Sequence, residues 1–237
     1  MRTLLSGLAL ILLASNTFAH ALWIETNNTG KIGRLQTVHI YFGEYAQNER
    51  DELSKWRSDL KDLTLWLVAP DGTREKLVVK QDSNEVVSAF TPGTNGVYTL
   101  IVSHPLKDLI GTGQLAFLAS THVLVSSATS TIDQAQNKNE LKIFAVTDKD
   151  WKVNKDVTLK VLVKDVTKAG NTVLVFSPSG WSQELTTAAD GTVHFKPLWP
   201  GKYVIEAQDF SRTPGELNGN KYATLWQGAT YSFEISK

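Results

Sequence analysis

The sequence predicts an all-β protein built from two tandem immunoglobulin-like β-sandwiches, the first carrying a short helical insertion. Short segments in which apolar and polar residues alternate recur along the chain, the period of half-buried strands. Asp-Gly, Pro-Gly and Asn-Gly pairs punctuate them at the spacing of sandwich turns. A polar, small-residue stretch near the middle then divides the chain into two parts of about a hundred residues each. These observations place one sandwich over residues 20–127, a linker over 128–139 and a second sandwich over 140–237.

Residues 1–19 read as a secretory leader. Arg2 supplies the positive start, Leu4 to Leu13 an apolar run, and Ser15 to Ala19 a small, polar end. Cleavage after Ala19 leaves His20 first in the mature chain; cleavage after Ala21 fits the small-x-small pattern better and removes it. No later segment approaches the twenty apolar residues of a membrane helix, so a soluble, exported, periplasmic protein is expected.

In the first sandwich, Val38, Ile40 and Phe42 alternate with Thr37, His39 and Tyr41. Leu63 to Ala69 and Leu77 to Lys80 flank "PDGT", a hairpin signal because Asp-Gly adopts the positive φ of tight turns. Val86 to Phe90 and Val97 to Val102 flank "TPGTNG", and Leu115 to Val125 supplies a further strand. Between them "NERDELSKWRSDLKD" sets Leu53, Trp56 and Leu60 at spacings of three and four, with acidic residues at its start. It predicts a short amphipathic helix with a solvated charged face.

Residues 126–140, "SSATSTIDQAQNKNE", hold one large apolar residue, Ile132, too little for a core. Strands resume at Leu141 to Val146, Val157 to Val163, Thr172 to Phe176, Val193 to Phe195, Tyr203 to Ala207 and Tyr231 to Ile235. In "TTAADGTVHFKPLWPGKYVIEA" the Asp190-Gly191 and Pro200-Gly201 turns set Val193, Phe195 and Tyr203 inward. This stretch resembles the immunoglobulin-like modules related to the carboxypeptidase regulatory domain. The "HALWIET" opening, "GKIG" before "VHIYFGEY", and "TPGELNGNKYATLWQGATYSFEI" resemble the periplasmic domain-of-unknown-function 4198 family, labelled a nickel or cobalt uptake periplasmic component. That resemblance implies a metal-handling role. The multi-span permease of a metal importer is absent from this sequence, so any transport would require an envelope transporter or outer-membrane receptor as partner.

Composition excludes several classes. The chain balances 24 basic against 24 acidic residues, with no basic footprint for nucleic acid. It has no cysteine, which rules out disulfides, thiolate metal sites and cysteine nucleophiles. Serines occur without a nucleophile elbow, the glycines of "TGKIG" match no phosphate loop, and Asp148 and Asp150 lack the rest of a calcium loop. No catalytic constellation emerges, so an enzyme is not expected.

The remaining chemistry is histidine. A histidine at a chain start offers its α-amine and ring Nδ1 as a chelate, both titrating low enough for a metal to displace their protons near neutral pH. Nitrogen and oxygen donors suit copper, nickel or cobalt. His20 is therefore the candidate metal ligand. His104, at the end of the strand "VYTLIVSHP" where loops collect, is its expected partner. His39 and His194 alternate with inward residues and should face outward; the face taken by His122 is open. A copper oxygenase resembling the lytic polysaccharide enzymes shares the N-terminal histidine but nothing else in the sequence. Of the seven tryptophans, Trp56 and Trp66 are expected in the core, whereas Trp181 and Trp199 near turns are candidate sugar platforms. The sequence thus supports a non-catalytic metal-binding protein, or alternatively a structural or interaction module of the envelope.

Overall fold

A computed structural model describes residues 20–126, 133–146 and 151–237. The predicted leader, the first part of the linker and the Asp148/Asp150 pair lie outside the described residues. The first half contributes β1 (Ala21–Glu25), β2 (Thr29–Gly30), β3 (Gln36–Gly43), β4 (Leu65–Val68), β5 (Arg74–Lys76), β6 (Lys80–Gln81), β7 (Val86–Phe90), β8 (Gly96–Pro105) and β9 (Gly113–Val125). The second half contributes β10 (Leu141–Ala145), β11 (Val157–Val163), β12 (Val166–Thr167), β13 (Thr172–Phe176), β14 (Ser182–Thr186), β15 (Thr192–Phe195), β16 (Gly201–Ser211), β17 (Gly215–Leu217), β18 (Asn220–Tyr222) and β19 (Thr224–Ile235).

The all-β class holds, and its sheets pack face to face in three layers. A long central sheet runs β14-β13-β16-β19-β9-β8-β4-β5, with β2 attached to β9. A second sheet, β1-β3-β7-β6, covers one of its faces, and a third, in which β11 pairs with β10, β12 and β15, covers the opposite face. Alternation along β9 demonstrates the arrangement. Phe117 and Ala119 belong to the core beneath the second sheet, together with Leu22, Ile24, Ile40 and Phe42. Their immediate neighbours Ala116 and Leu118 belong to the core on the other side, with Ile143, Leu159, Tyr203 and Phe233. Successive strand residues point to opposite faces, so one strand serves both cores.

The two halves share this central sheet. β19 of the second half pairs in parallel with β9 of the first over nine residues, Thr224↔Gly113 to Ser232↔Thr121. Both strands are buried on two faces, which suits their near-continuous apolar and small residues. The described end of the linker lies against the same sheet. Asn139 is buried and its Nδ2 donates to Val102 O at 3.0 Å, and buried Lys142 donates to Asn137 O at 2.7 Å.

The turns follow the sequence reading. Gly72 and Gly191 take φ of +84° and +77°, each beside an aspartate whose Oδ1 accepts the backbone N–H of Thr73 or Thr192. The strand after "PDGT" begins earlier than expected, at Arg74 rather than Leu77, and pairs with β4.

The expected helix over residues 48–62 does not form. In its place stand two separate 3-10 turns, Leu53–Lys55 and Leu60–Asp62, preceded by a third at Tyr45–Gln47. Trp56 is extended at ψ 140° and Ser58 sits in the left-handed region at φ +49°, so the helical path is interrupted twice between the turns. Leu53, Trp56 and Leu60 are nevertheless all buried in the first core. The apolar spacing fixed which residues face inward but not how the backbone carries them there. Among the described residues no helix is long and apolar enough to cross a membrane.

Candidate functional site

β1 is an edge strand of its sheet, and β19 lies beneath it. Thr230 Oγ1 donates to Leu22 O at 2.6 Å, and the Ser232 hydroxyl donates to Ile24 O. These bonds satisfy carbonyls that an edge strand would otherwise leave unpaired beneath the covering layer. They also fix the direction of β1, because each step of two residues along it matches a step of two along β19. One more step sets His20 at the level of Gly228. That glycine has no Cβ because the Trp226 indole folds across it; an added Cβ would stand 2.4 Å from the ring.

The ladder to β3 supplies the neighbours of His20. Ala21 pairs with Gly43, and the next step brings His20 opposite Glu44. Gly43 has φ +152°, and a Cβ there would meet Glu49 O at 2.5 Å. Only glycine lets residues 44–51 fold back over the end of β3, where Asp51 N–H donates to Phe42 O at 2.8 Å. The result places His20 between two carboxylates. Its Nδ1 is 3.6 Å from Glu44 Oε1, its Nε2 is 3.2 Å from Asp51 Oδ2, and its ring packs on Phe42 at 5.4 Å between centroids.

The loop is held by Arg50. Its Nη2 donates to Glu25 Oε1 at 2.9 Å and its Nη1 to Asn48 Oδ1 at 2.6 Å, while its guanidinium lies 4.6 Å from the Tyr41 ring centroid. Trp23, fully buried, donates its indole N–H to the same Glu25 oxygen at 2.8 Å. Burial raises the Tyr41 hydroxyl pKa far above its ordinary value, reinforced by neighbouring Glu85 and Glu25. Tyr45 is raised likewise, by burial first, and its hydroxyl donates to Lys202 O at 2.7 Å. Lys202 reaches the start of the β1–β3 connection, donating to Thr26 O at 2.6 Å and Asn28 Oδ1 at 2.7 Å; burial lowers its pKa.

His104 stands elsewhere. Across the β8–β9 ladder it pairs with Phe117, whose ring packs on Phe42, the residue against which the His20 ring lies. Its mostly buried Nε2 faces Asp59 Oδ2 at 3.4 Å and makes no hydrogen bond. Burial pushes the Asp59 carboxyl up, but the backbone N–H of Lys107, the Ser58 hydroxyl and the nearby His104 together hold it below its ordinary value. The structure therefore gives His20 and His104 different acidic neighbours and does not bring them together. Among the described residues no group of three or more His, Asp or Glu side chains could hold a metal ion. At His20 the reason is geometric: its two ring nitrogens point away from each other, toward separate carboxylates.

The other histidines divide as follows. His39 is partly exposed and bonded to Glu85 at 2.7 Å; His194 is exposed and bonded to Thr158 at 2.9 Å. His122 is buried, 3.3 Å from the Tyr231 hydroxyl, and burial pushes its pKa down to about 3, so it is a neutral core residue. Trp56 is in the core, but Trp66 is only half-buried, beneath the Arg74 guanidinium at 4.2 Å. Trp181 and Trp199 pack on one another at 5.9 Å between centroids. Sequence reasoning missed Glu44 and Asp51 of "GEYAQNERD": Asp51 fell among the charges of the expected helix, read as solvated, and Glu44 lay just before them. The usable signal was β1 itself: "ALWIE" pairs with "HIYFG", and its register names Glu44.

No curated protein matches the chain. Among solved structures it is similar to a protein of Corynebacterium diphtheriae described as membrane anchored, at 10% identity and a TM-score of 0.29, covering 92% of this chain and 59% of that one. It is also similar to the alpha-2-macroglobulin of Salmonella reacted with methylamine, at 10% identity and a TM-score of 0.31, covering 92% of this chain and 15% of that one. The chain thus spans about three fifths of the first and under a sixth of the second, and likenesses this shallow carry no weight for function. A family model matches residues 17–209, and on that match the chain belongs to DUF4198, a family defined as a domain of unknown function.

Proposed function

We propose that this is a non-catalytic envelope protein that, once exported and cut after Ala19, captures a transition-metal ion of the copper, nickel or cobalt class at its new N-terminus. The observation that carries the reading is the placement of the two carboxylates around His20. Asp51 Oδ2 stands 3.2 Å from Nε2, and a proton held on that nitrogen would leave the Nδ1 lone pair free. A carboxylate in this position orients a ligand histidine and raises its basicity. Nδ1 is the nitrogen that chelates together with the α-amine, and Glu44 stands beside it. The 3.6 Å from Nδ1 to Glu44 Oε1 is close to the separation of about 3 Å that two donors adopt on one ion with bonds near 2.1 Å. The donors would be the α-amine, His20 Nδ1 and Glu44. The third nitrogen or oxygen that the side chains alone lack is the amine that cleavage would free. His104, beside Asp59, is not part of this set.

The test is titration of the exported chain with Cu(II), Ni(II) and Co(II), read by intact mass and melting temperature. Saturation of the site should raise the melting temperature by mass action, His20→Ala should abolish the response, and Asp51→Asn should weaken affinity about 10-fold or more. His194→Ala should leave it unchanged. A mature form starting at Leu22, or a response that survives His20→Ala, would overturn the reading.

A further inference from the structure

The second sheet covers only part of the central face. On β16, Val204 is sealed beneath Trp23 with Phe176. Glu206, Gln208 and Phe210 follow on the same face, beyond the end of that cover. Two adjoining cavities lie here, sharing Thr172 and Gln208 in their walls: one of about 360 Å³ with Leu174, Glu184 and Glu206, the other of about 290 Å³ with Asn171, Phe210 and Trp226. Ladder partners explain the order of the floor, because Leu174 pairs with Glu184 on one side and Glu206 on the other.

Acceptors dominate the lining of this groove, which also carries the Thr172 hydroxyl and, at its second cavity, the Lys168 ammonium. Glu206 is 3% exposed and receives one hydrogen bond among the described residues, from Gln208 Nε2 at 2.7 Å on its Oε1. Asn171 is 5% exposed and its Oδ1 has no partner at all. Three of the donors nearby are already engaged. Gln208 Nε2 serves Glu206, the Trp226 indole N–H serves Gln208 Oε1 at 3.3 Å, and the Lys168 ammonium is held by Asp209. Neither Glu184 nor Glu206 has a cationic partner among the described residues. Phe210 is 58% exposed, and Trp226 stands across the ladder from it.

A lining with two carboxyls that have no cationic partner, a buried amide oxygen without a donor and two aromatic rings, its one ammonium already held by Asp209, suits a ligand that is positively charged, rich in N–H and partly apolar. We infer that the groove over Glu206, Gln208 and Trp226 binds a small organic ammonium ion, its N–H groups directed to Glu206 and Asn171 and its apolar part laid against Trp226 and Phe210. Charge-assisted bonds and the attraction of a cation to ring faces act together in such a site. A neutral sugar would meet acceptors and stacking surfaces but would leave both carboxyls without a counter-charge.

The test uses the full mature chain with a metal chelator present, which separates it from the metal reading. Benzylamine is titrated by tryptophan fluorescence and by NMR, with benzyl alcohol and cellobiose as neutral comparators. Saturable benzylamine binding at least tenfold tighter than benzyl alcohol, weakened about tenfold in Glu206→Gln and measurably in Glu184→Gln, supports the inference. Glu184 is exposed on β14, so that variant keeps the fold. Glu75→Gln, on the far edge of the sheet, should change nothing. Equal binding of the amine and the alcohol, binding of cellobiose alone, or affinity unaltered in both groove variants overturns it.

Discussion

Glu206 converts burial into a measurable dependence of stability on pH. The residue is 3% exposed, and desolvation raises the pKa of its carboxyl from 4.5 to about 7 against a smaller opposing effect of the Gln208 hydrogen bond. A raised folded-state value means that the native protein binds this proton more tightly than the unfolded chain does. The favourable contribution is therefore complete below about 4.5 and is lost as pH rises through 7. A shift of about 2.5 units at about 1.36 kcal/mol each amounts to roughly 3 kcal/mol, a sizeable share of a total near 5–15 kcal/mol. Glu206→Gln keeps the size of the side chain and its oxygen toward Gln208 but cannot ionise. The assay is urea unfolding of both proteins at pH 4 and pH 8. The stability of the variant relative to the native chain should rise by about 3 kcal/mol between them, or about 6–12 °C in melting temperature for a chain of this size. Differences that stay constant within 1 kcal/mol across that range would show that the Glu206 carboxyl is hydrated in the folded protein, and the argument from burial would fail.

Acid should act through His122. Its pKa falls from 6.5 to about 3, so the stability it lends is whole above 6.5 and declines as pH drops toward 3; His122→Gln should flatten the acid limb of a pH–melting curve. Gly43→Ala should destabilise by about 2 kcal/mol through backbone strain and contact with Glu49 O, and NMR should show the His20 ring shifted as the 44–51 loop moves. Thr230→Val should cost about 1–3 kcal/mol by leaving Leu22 O buried without a donor, with hydrogen exchange accelerated in β1 rather than in β16.

Fold and site were legible to different depths for physical reasons. The strands of β3, β7, β11 and β13 were visible because side chains alternate and turns declare themselves at Asp-Gly and Pro-Gly. Leu53, Trp56 and Leu60 were correctly inward, yet their periodicity could not reveal the extended Trp56 or the left-handed Ser58. The parallel union of β9 with β19 left no local trace, since it joins residues about a hundred positions apart whose apolar runs suit any doubly covered strand. His20 was conspicuous by its place behind the leader. Glu44 and Asp51 were not, because their meaning comes from a ladder register and from the room left by Gly43. His104 was chosen for standing at a strand end, and the pairing with Phe117 sends it toward Asp59 instead.

The two candidate sites differ in what they demand of the fold. His20, Glu44 and Asp51 are partly exposed, so their arrangement requires little beyond the return of one loop, and water solvates whatever is left unpaired. Glu206 is buried without a cationic partner and Asn171 with its Oδ1 unsatisfied, and at neutral pH the burial of the carboxyl costs stability which a threonine or leucine at position 206 would avoid. Val204, two residues earlier on the same strand and face, shows that the sheet accepts an apolar residue where it is covered. Polar burial that weakens the native state at the place where the covering layer stops is what a binding groove requires of its floor. Packing alone gives no reason to set a carboxyl there.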